Sequence, residues 1–555
     1  MNTEHHILID ESHGWRMLAF CQFKVWVKGN VANSDVKGAC NSLDENSEAE
    51  DFKKVLSSFH GHFALVICHA NFVCAAVDRI RSIPLVWTGG AGGRLHIAQE
   101  GRKILAALES SQKIVDLDQA LAVALAGYTI GDGTLYKNIK ALLPGTFLLH
   151  KNGHETIGHY HCFVPWKADQ SPGNDGLEKG RLAELTLEIL QELIDNANGR
   201  TIALPLSAGL DSRLIAAGLK HLGYENVVCF AYGRVGNHEA ETSRVIAERL
   251  GYPWHFVPFS NNKMANIFRS EDYAEYKAYA DSLTGVHFPQ DYLAITSLLA
   301  DGHISKDCLL VNGQSGDFIS GNHIPASMES YPSNLEDRKE RIVDALIAKH
   351  FKQWHFLIRK KTLLRIRGML RAELSSFNEG SMPNDPQADY GLYEASEFVD
   401  RQSKYVVNGQ RLYEYLDIDW ALPLWHDRYL EYWAKRPATQ KLRQRLYREM
   451  LMEENWGGVW RDVPVNAKNI RPQWLIPARY ISKIIHAPFG KTQWHKFERR
   501  VFKYLMSPLC SYAVRSWYDI ASDQRGPWTG LSPHIEDYLL DHSVDINVIA
   551  EDVAA

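Results

Sequence analysis

Short apolar stretches alternate with helix-forming stretches between residues 201 and 257, and this alternation restricts the fold more than any other feature of the chain. The pattern predicts strands at Thr201–Leu206, Val227–Ala231 and Trp254–Val257, and helices at Ser212–Leu222 and Glu239–Leu250. Strand–helix repeats of this length are typical of a parallel, doubly wound sheet. Ligands of such sheets bind beyond the carboxyl ends of the strands. The segments that follow the strands are therefore where we expect the chemistry.

The segment Ser207-Ala208-Gly209-Leu210-Asp211-Ser212 joins the first strand to the first helix. Backbone N–H groups at a helix start can hold phosphate oxygens, and Gly209 lets the backbone approach them closely. Ser207 and Ser212 add hydroxyl donors. Phosphate would repel Asp211, so this residue is predicted to bind Mg²⁺ that bridges carboxylate and phosphates. The alternative is an ordinary strand–helix turn capped by Ser or Asp.

A second glycine-rich segment lies about 100 residues further on, directly after the apolar stretch Leu309–Val311. It runs from Asn312 to Gly321, and its glycines give access to the backbone. Asp317 provides a second carboxylate at the end of a second predicted strand. Asp211 and Asp317 could together hold Mg²⁺ on bound phosphates. The alternative is a glycine-rich loop in which Asp317 only caps a turn.

The flanking regions differ in composition from this α/β segment. Residues 16–165 contain short β-forming stretches such as Phe20–Val27, separated by turn signals that include Gly89–Gly93 and Lys151–Gly153. The chain after residue 260 is mostly helix-forming, and its last ten residues resemble a frayed tail. The expected divisions are a first domain at 1–165, a polar linker at 166–180, a second domain at 181–480 and a helical extension at 481–555.

The two loops, in this order, resemble the pyrophosphate loop and its partner in the synthetase domain of the asparagine synthetase family. Four further segments agree with the same family: Leu56–Ala64, Asp78–Leu85 and Leu143–Thr146 in the N-terminal region, and Ala421–Trp425 later in the chain. The resemblance covers about residues 15–475. It implies an α/β protein with an N-terminal, β-rich α+β domain of the Ntn-hydrolase type. A doubly wound, parallel-sheet ATP-pyrophosphatase domain with a helical C-terminal part would follow.

The resemblance also implies roles for particular residues. It assigns pyrophosphate and metal binding to Ser207, Gly209, Asp211, Ser212, Gly313 and Asp317. Pro205 and Tyr232 fall where the family lines its adenine pocket. Lys468 falls near a late catalytic lysine that could stabilise charge on the α-phosphate, and Arg471 is the rival for this role. An ordinary surface lysine is the plain alternative. The implied cofactors are ATP and Mg²⁺.

The chain departs from the family pattern at its N-terminus and in the second loop. The family's glutaminase uses a Cys at position 2, but here Asn2 is followed by Thr3, and the first cysteine is Cys21 in a predicted strand. We therefore expect a glutaminase-type fold without glutamine hydrolysis. Gln314 stands where asparagine synthetases proper carry a glutamate, and Phe318 replaces an acidic residue. Both changes argue against aspartate as the substrate.

Three functions fit these residues. The first is ATP-dependent amide formation through an acyl-adenylate, acting on a sugar acid or aspartate, with ammonia or an amine that a separate glutaminase could supply. The second is intramolecular ring closure, as in the β-lactam synthetases and lasso-peptide cyclases. The third is a non-catalytic scaffold, but a scaffold would not need two metal carboxylates. The resemblance implies a carbon–nitrogen ligase that forms AMP and pyrophosphate, and a homodimer is kept open.

The composition of the chain limits the partners that it can bind and the cellular compartment that we expect for it. Lys plus Arg number 61 against 66 Asp plus Glu, which argues against nucleic-acid binding by overall charge. The eight cysteines are scattered, as expected for reduced thiols. No signal peptide and no run of about 18 apolar residues is found, so we expect a cytoplasmic protein without a membrane span. The basic stretch His355–Leu374 is either a solvated helix face or a patch for an anionic partner.

Overall fold

The computed structural model describes residues 6–89, 94–171, 173–332, 334–463 and 472–552. Its N-terminal part contains ten strands in chain order: β1 His6–Ile7, β2 Arg16–Phe20, β3 Phe23–Gly29, β4 Phe63–Cys68, β5 Phe72–Val77, β6 Val86–Gly89, β7 Leu95–Ala98, β8 Lys140–Ala141, β9 Thr146–Lys151 and β10 His154–His159. They form a four-stranded sheet in the order β1-β7-β6-β8 and a six-stranded sheet in the order β10-β9-β5-β4-β3-β2. All neighbours pair antiparallel except β1 and β7.

Four helices cover the outer faces of these two sheets: α1 Asn33–Asn41, α2 Ala49–Ser57, α3 Gly101–Ala107 and α4 Leu117–Ala126. Val66, Val73 and Ile97 belong to a shared apolar core between the two sheets. Helices α1 and α2 pack their apolar side chains on the other face of the six-stranded sheet. Helices α3 and α4 belong to the core on the far side of the four-stranded sheet. The N-terminal part is thus a four-layer sandwich of helix, sheet, sheet and helix.

A third sheet carries the second half of the protein. Its strands are β11 Ile202–Pro205, β12 Val227–Arg234, β13 Trp254–Phe259, β14 Leu309–Val311 and β15 Asp419–Ala421. They are all parallel and lie in the order β13-β12-β11-β14-β15. The chain therefore winds outward from β11 in one direction and then returns to β14 on its other side. The predicted doubly wound parallel sheet is confirmed, with each predicted strand in place to within three residues at either end.

Helices surround this sheet and form the C-terminal part. They are α5 Asp175–Ala197, α6 Asp211–His221, α7 His238–Leu250, α8 Asn261–Phe268, α9 Glu271–Ala280, α10 Tyr292–Ala300, α11 Gly316–Ile319, α12 Leu335–His350, α13 Lys360–Ser376, α14 Tyr390–Glu397, α15 Arg411–Tyr415, α16 Asp427–Ala434, α17 Ala438–Lys441, α18 Arg445–Glu454, α19 Leu475–His486, α20 Gly490–Val501, α21 Lys503–Met506, α22 Trp517–Ser522, α23 Ser532–Asp541 and α24 Ile546–Asp552. A nine-residue π-helix, Phe398–Val406, continues α14. Such segments are rare and are frequently found at functional sites.

Several local predictions can be compared with these elements. The turn at Lys151–Gly153 is confirmed, since Asn152 and Gly153 have φ of 53° and 78° between the antiparallel strands β9 and β10. The turn predicted at Gly89–Gly93 falls largely on residues 90–93, outside the described residues, between the paired strands β6 and β7. The domain boundaries stay predictions, although α5 begins within the predicted linker.

Two local predictions were wrong. Cys21 lies in the turn between β2 and β3 with φ of 47°, not inside a strand, because the stretch Phe20–Val27 folds back on itself as a hairpin. The last residues are not all a frayed tail. Residues 546–552 form α24, and Ile546 and Ile549 are fully buried in the core that contains α4. Apolar packing against a distant helix decides the structure here, and no local signal announces it.

Other expectations concern the whole chain. All eight cysteines are free, and five of them are buried, as predicted. Within the described ranges, no helix is long and apolar enough to cross a membrane. The basic stretch 355–374 forms ion pairs within the chain: Arg365 with Asp118, and Arg367 and Arg371 with Glu340. These pairs favour the solvated helix face over an anionic partner.

Candidate functional site

The site forms where the winding direction of the parallel sheet reverses. Strands β11 and β14 are neighbours, but they belong to opposite halves of the winding. The segments that follow them diverge to opposite faces of the sheet, which opens a crevice at their carboxyl ends. The segment after β11 is the loop 206–210, and the segment after β14 is the loop 312–315. Both loops predicted from the sequence therefore meet in this crevice.

The first loop is held closed by its own serines. The Ser207 N–H donates to Ser212 Oγ at 3.0 Å, and the two Oγ atoms are 3.1 Å apart. The Gly209 N–H donates to Ser207 Oγ at 3.1 Å. These bonds bring the loop back to the first turn of α6, where free N–H groups and the helix dipole favour an anion.

The second loop touches the first one at two glycines. A Cβ atom on Gly313 would lie 2.7 Å from the Ser212 nitrogen, and one on Gly316 would lie 2.6 Å from Asp211 Cγ. Both distances are shorter than real Cβ contacts. Only glycine therefore allows the two loops to approach this closely.

Asp211 is the residue that joins the loops. Its Oδ2 accepts the backbone N–H of Asp317 at 2.8 Å, and its Oδ1 accepts the Tyr447 hydroxyl at 3.1 Å. Burial and the nearby charge of Asp317 raise the pKa of Asp211 to about 8. The charges of Asp211 and Asp317 therefore act on each other, and a divalent cation bound by both would relieve their repulsion.

Asp317 is the partner carboxylate, and a histidine supports it. His323 Nε2 lies 3.1 Å from Asp317 Oδ2, while His323 Nδ1 bonds to Glu397. Burial alone would raise the pKa of Asp317, but the hydrogen bond and charge of His323 lower it below the usual value. Burial would likewise lower the pKa of His323, but the charges of Glu397 and Asp317 raise it.

The buried Glu397 anchors this chain of contacts. It also accepts the Tyr393 hydroxyl at 3.0 Å and the Gln402 side-chain amide at 3.1 Å, and His350 Nε2 lies 3.2 Å away. Glu397 therefore holds His323 in place, and His323 in turn fixes the position and the charge of the Asp317 carboxylate.

A cavity of about 430 Å³ opens at these loops. It is lined by every described residue for which the sequence predicted a binding role: Pro205, Ser207, Gly209, Asp211, Ser212, Tyr232, Gly313 and Asp317. Its far end is formed by Pro205 on β11 and by Phe230 and Tyr232 on β12. The ring of Tyr232 stacks on Phe259 with centroids 5.2 Å apart, and its hydroxyl donates to the buried Asp291. The lining of the cavity thus combines the polar groups of the loops with the aromatic rings of Phe230 and Tyr232.

The predicted catalytic residues Lys468 and Arg471 lie outside the described residues, so their roles stay predictions. Arg448 on α18 lines the cavity and was not singled out by sequence reasoning. His323, Glu397 and Tyr447 were missed as well. His323 is six residues after Asp317, so its proximity was a usable signal. Glu397 and Tyr447 are brought in by distant helices, and nothing in their local sequence marks them.

A second cavity of about 700 Å³ meets the first one at Asp211, Asp317 and Gln314. Three cations line it: Lys349, Lys352 and Arg401. Its remaining lining includes aromatic rings and side-chain amides, namely Tyr128, Phe288, Tyr405, Trp528, Gln290 and Gln353. The π-helix contributes Arg401 and Tyr405 to this cavity. Because the two cavities share these lining residues, both carboxylates lie where the cavities adjoin.

Gln314 and Phe318, the two residues at which the second loop departs from the family pattern, occupy different positions. Gln314 lines both cavities, and its Oε1 accepts the Gln410 amide at 3.2 Å. Phe318 is fully buried and packs near Trp425, with ring centroids 5.9 Å apart. An acidic side chain at position 318 would face an apolar core, so Phe318 belongs to the support of the loop and not to its binding surface.

Comparisons with known proteins agree with this architecture. Residues 197–453 match the family model described as asparagine synthase, and residues 47–161 match the model of a glutamine amidotransferase domain. The probable glutamine-hydrolyzing asparagine synthetase of Acanthamoeba polyphaga mimivirus is 30% identical over 303 residues, which are 52% of this chain. The chain spans about half, 50%, of the length of that relative.

Among solved structures, an allosteric regulatory enzyme of purine biosynthesis matches 44% of this chain and 62% of its own at 12% identity. The TM-score of 0.18 is too low for this likeness to carry an argument.

The sandwich of two sheets, the parallel sheet and the two loops at its switch point define a class of protein. Its members join an Ntn-type amidotransferase fold to an ATP-pyrophosphatase-type α/β domain. Both family models occur in the order expected from the sequence, and together they extend from residue 47 to residue 453. The two halves of the chain are thus similar to the two domains of the asparagine synthetase family, each over the residues that its family model matches.

Proposed function

We propose that the protein forms an amide bond at the expense of ATP, through an acyl-adenylate of its carboxylic acid substrate. The observation that carries this proposal is the contact between the loops, in which Asp317 donates its backbone N–H to Asp211. The family resemblance supports the same reaction. The curated relative that the chain matches is named an asparagine synthetase.

ATP would occupy the smaller cavity, with its adenine near Tyr232 and its phosphates at the first loop. The N–H groups at the start of α6, with Ser207 and Ser212, would hold the β- and γ-phosphates. Arg448, which lines the same cavity, would reduce the negative charge of the phosphates. This orientation directs the α-phosphate toward the junction of the two cavities.

Mg²⁺ fits the two carboxylates at that junction. Among the described residues no group of three or more His, Cys, Asp or Glu is arranged around one point. Two carboxylates together with phosphate oxygens are, however, the ligands that Mg²⁺ usually takes at nucleotide sites. When bound by Asp211 and Asp317, Mg²⁺ would neutralise the charge that develops on the leaving pyrophosphate.

The acid substrate would occupy the larger cavity. There, Lys349 and Arg401 can attract its carboxylate and hold it beside the α-phosphate. A carboxylate oxygen then bonds to the α-phosphorus, and the bond to the pyrophosphate oxygen breaks. The nitrogen of ammonia or an amine next attacks the acyl carbon, AMP leaves, and the nitrogen loses a proton.

The larger cavity supports an acid bigger than aspartate. Its volume of about 700 Å³ lies within the range of about 300–1,000 Å³ that is typical of drug-sized ligands. Aromatic rings, amide side chains and cations lie together on its walls, and this mixture suits a hydroxylated acid such as a sugar acid. We propose a sugar acid as the substrate class and ammonia or an amine as the nitrogen donor.

The test measures AMP and pyrophosphate released from ATP by the full chain, with Mg²⁺ and ammonium present. Uronic acids, aspartate and β-amino acids are compared as substrates. We expect pyrophosphate and AMP in equal amounts, dependent on one acid, and an amide product by mass spectrometry. ADP and phosphate would contradict the proposal. A product that has lost water without consuming ammonium would point to ring closure instead.

A further inference from the structure

Helix α19 presents a face of large apolar side chains to solvent. Its exposed residues, with those that flank it, are Trp474, Ile476, Tyr480, Ile481, Ile484, Ile485 and Phe489. Tyr480, Ile484 and Phe489 are 69%, 62% and 68% exposed. The opposite face is anchored, because the buried Leu475 packs in one apolar cluster with Trp494 and Phe502 from the α20 region. The helix is thus held in place with its apolar face open, and so large a patch marks an interaction surface.

The charge of this segment is as unusual as its apolar face. Residues 472–506 contain seven Lys and Arg residues but a single acid, in a chain whose net charge is −5. The acid, Glu498, is already paired with Arg479 at 2.5 Å. Lys483, Lys491 and Lys496 are exposed. Exposed apolar side chains and exposed cations therefore occur together in this segment.

A cationic groove of about 610 Å³ continues this surface. Phe489 lines it together with the cations Lys496, Arg499, Arg500 and Arg525, of which Arg525 is paired with Asp523 and Glu536. None of its described lining residues is Asp or Glu. Burial, then the charges of Lys496 and Arg499, lower the pKa of His355 in the same groove. The groove is suited to phosphate groups.

From these observations we propose that the segment 472–506 docks on an anionic phospholipid surface. Helix α19 would lie parallel to the bilayer, with its Ile side chains and Trp474 at the boundary between head groups and acyl chains. Amphipathic helices with aromatic and aliphatic residues on one face and Lys or Arg beside them bind membranes in this way. The exposed lysines and the groove would contact the lipid phosphates.

The charge favours a bilayer over a second copy of the chain. In a symmetric dimer the same surface would meet itself, and two strongly cationic segments would repel each other. An anionic bilayer instead complements the cations and accepts the apolar side chains at the same time. This surface also adjoins the larger cavity. The ring of Trp528 lines that cavity. The guanidinium of Arg499 lies 4.4 Å from the centroid of this ring, and the ammonium of Lys352 lies 5.3 Å from it.

The test is flotation of the full chain with vesicles, without ATP or acid, so that its result does not depend on the proposed function. Vesicles of phosphatidylglycerol and phosphatidylcholine are compared with vesicles of phosphatidylcholine alone. We expect binding to the anionic vesicles that weakens in high salt. Ile481→Asp combined with Ile484→Asp should lower the binding constant by at least about ten-fold. Lys483→Glu combined with Lys496→Glu should have a similar effect.

The control is Leu335→Asp, which changes an exposed leucine at the start of α12, outside this surface. It should bind vesicles as the unchanged chain does. The proposal is overturned if the unchanged chain does not float, or if it binds neutral vesicles equally well. It is also overturned if the chain is a dimer in the absence of lipid and Ile481→Asp with Ile484→Asp makes it a monomer, because the face would then be a contact between copies.

Discussion

At the scale of single residues, the site depends most on the carboxylates of Asp211 and Asp317. Replacing either carboxylate by an amide keeps its size but removes its charge. We expect Asp211→Asn and Asp317→Asn each to reduce acid-dependent pyrophosphate release by at least about 100-fold, because each would lose a ligand of the metal. Steady-state pyrophosphate release at several Mg²⁺ concentrations measures this. Full activity in either variant would refute the metal assignment.

The matched control for these variants is Asp195→Asn, because Asp195 lies on α5, does not line either cavity, and accepts a hydrogen bond from Gln191 on the same helix. This variant should keep its activity. The circular dichroism spectra of all three variants should match that of the unchanged chain. If the site variants lose helical signal, their lower activity reflects misfolding and not the loss of a metal ligand.

The candidate site was in large part predictable at this scale. Ser207, Gly209, Asp211 and Ser212 are consecutive or nearly so, and their types suffice to suggest phosphate binding. Tyr447 and Glu397, by contrast, are 236 and 74 residues away from their hydrogen-bond partners Asp211 and His323. A side chain that supports the site from another helix has no local pattern, so only the folded chain reveals it.

At the scale of elements, the close approach of the two loops depends on glycine. A Cβ on Gly313 would meet backbone atoms of Asp211 and Ser212, which cannot move aside as a flexible side chain could. We expect Gly313→Ala to lower turnover by at least about ten-fold, because a displacement of about 1 Å at a catalytic site can cost this much or more. Pyrophosphate release measures the effect.

The control is Gly368→Ala on α13, where an added Cβ meets no atom within 4 Å. Alanine is favoured over glycine inside a helix, so this variant should be as active as the unchanged chain and slightly more stable. If Gly313→Ala also keeps full activity, the loops do not need to be so close.

The elements themselves were predicted with different success. Strands β11 to β14 were found because their apolar stretches are short and end in polar loops. The hairpin β2–β3 was taken for one strand because Phe20–Val27 is continuously rich in β-formers. Helix α24 was missed because its stability comes from burying Ile546 and Ile549 against a distant part of the chain. Local patterns do not contain such contacts.

At the scale of the whole molecule, buried charges join the N-terminal sandwich to the second half. Lys28 on β3 is paired with Glu414 on α15 at 2.8 Å, and Arg411 binds the same carboxylate. Burial lowers the pKa of Lys28 to about 8, with Glu414 opposing the shift and Arg411 adding to it. The junction thus contains two cations for one carboxylate, and the protonated form of Lys28 is disfavoured in the folded state.

This arrangement predicts a dependence of stability on pH. Between about pH 8 and the usual lysine pKa of 10.5, the unfolded chain binds a proton at Lys28 that the folded chain has lost. The contribution of Lys28 to the free energy of unfolding therefore rises with pH across this range. Lys28→Met should remove that contribution, and urea unfolding at several pH values measures it. Lys24→Met, an exposed lysine on the same strand, should not. Equal slopes in the unchanged chain and Lys28→Met would disprove the shift.

A second buried cluster joins three parts of the chain. The Asp281 carboxylate accepts hydrogen bonds from Arg102 on α3 and from His542 at the end of α23, both at 2.9 Å. It also accepts the hydroxyl of Tyr538 at 3.2 Å. We expect His542→Ala to lower the free energy of unfolding by about 3 kcal/mol, because it leaves Asp281 with a buried charge that is only partly paired. Urea unfolding measures the loss. The exposed His154→Ala should change stability by less than about 0.5 kcal/mol, and an equally small change for His542→Ala would show that the cluster contributes little.

The sequence by itself determined the parallel sheet, the order of its strands along the chain, the two loops and the likeness to the asparagine synthetase family. These features depend on residues close together in the chain, where spacing and residue type are sufficient. Only the tertiary structure decided which strands are neighbours and that the loops touch at Gly313. It also decided that His323 contacts Asp317 and that Glu397 contacts His323. It also decided that the C-terminal helices wall the larger cavity and leave the apolar face of α19 open. These features depend on contacts between distant segments, whose free energy depends on how the whole chain packs.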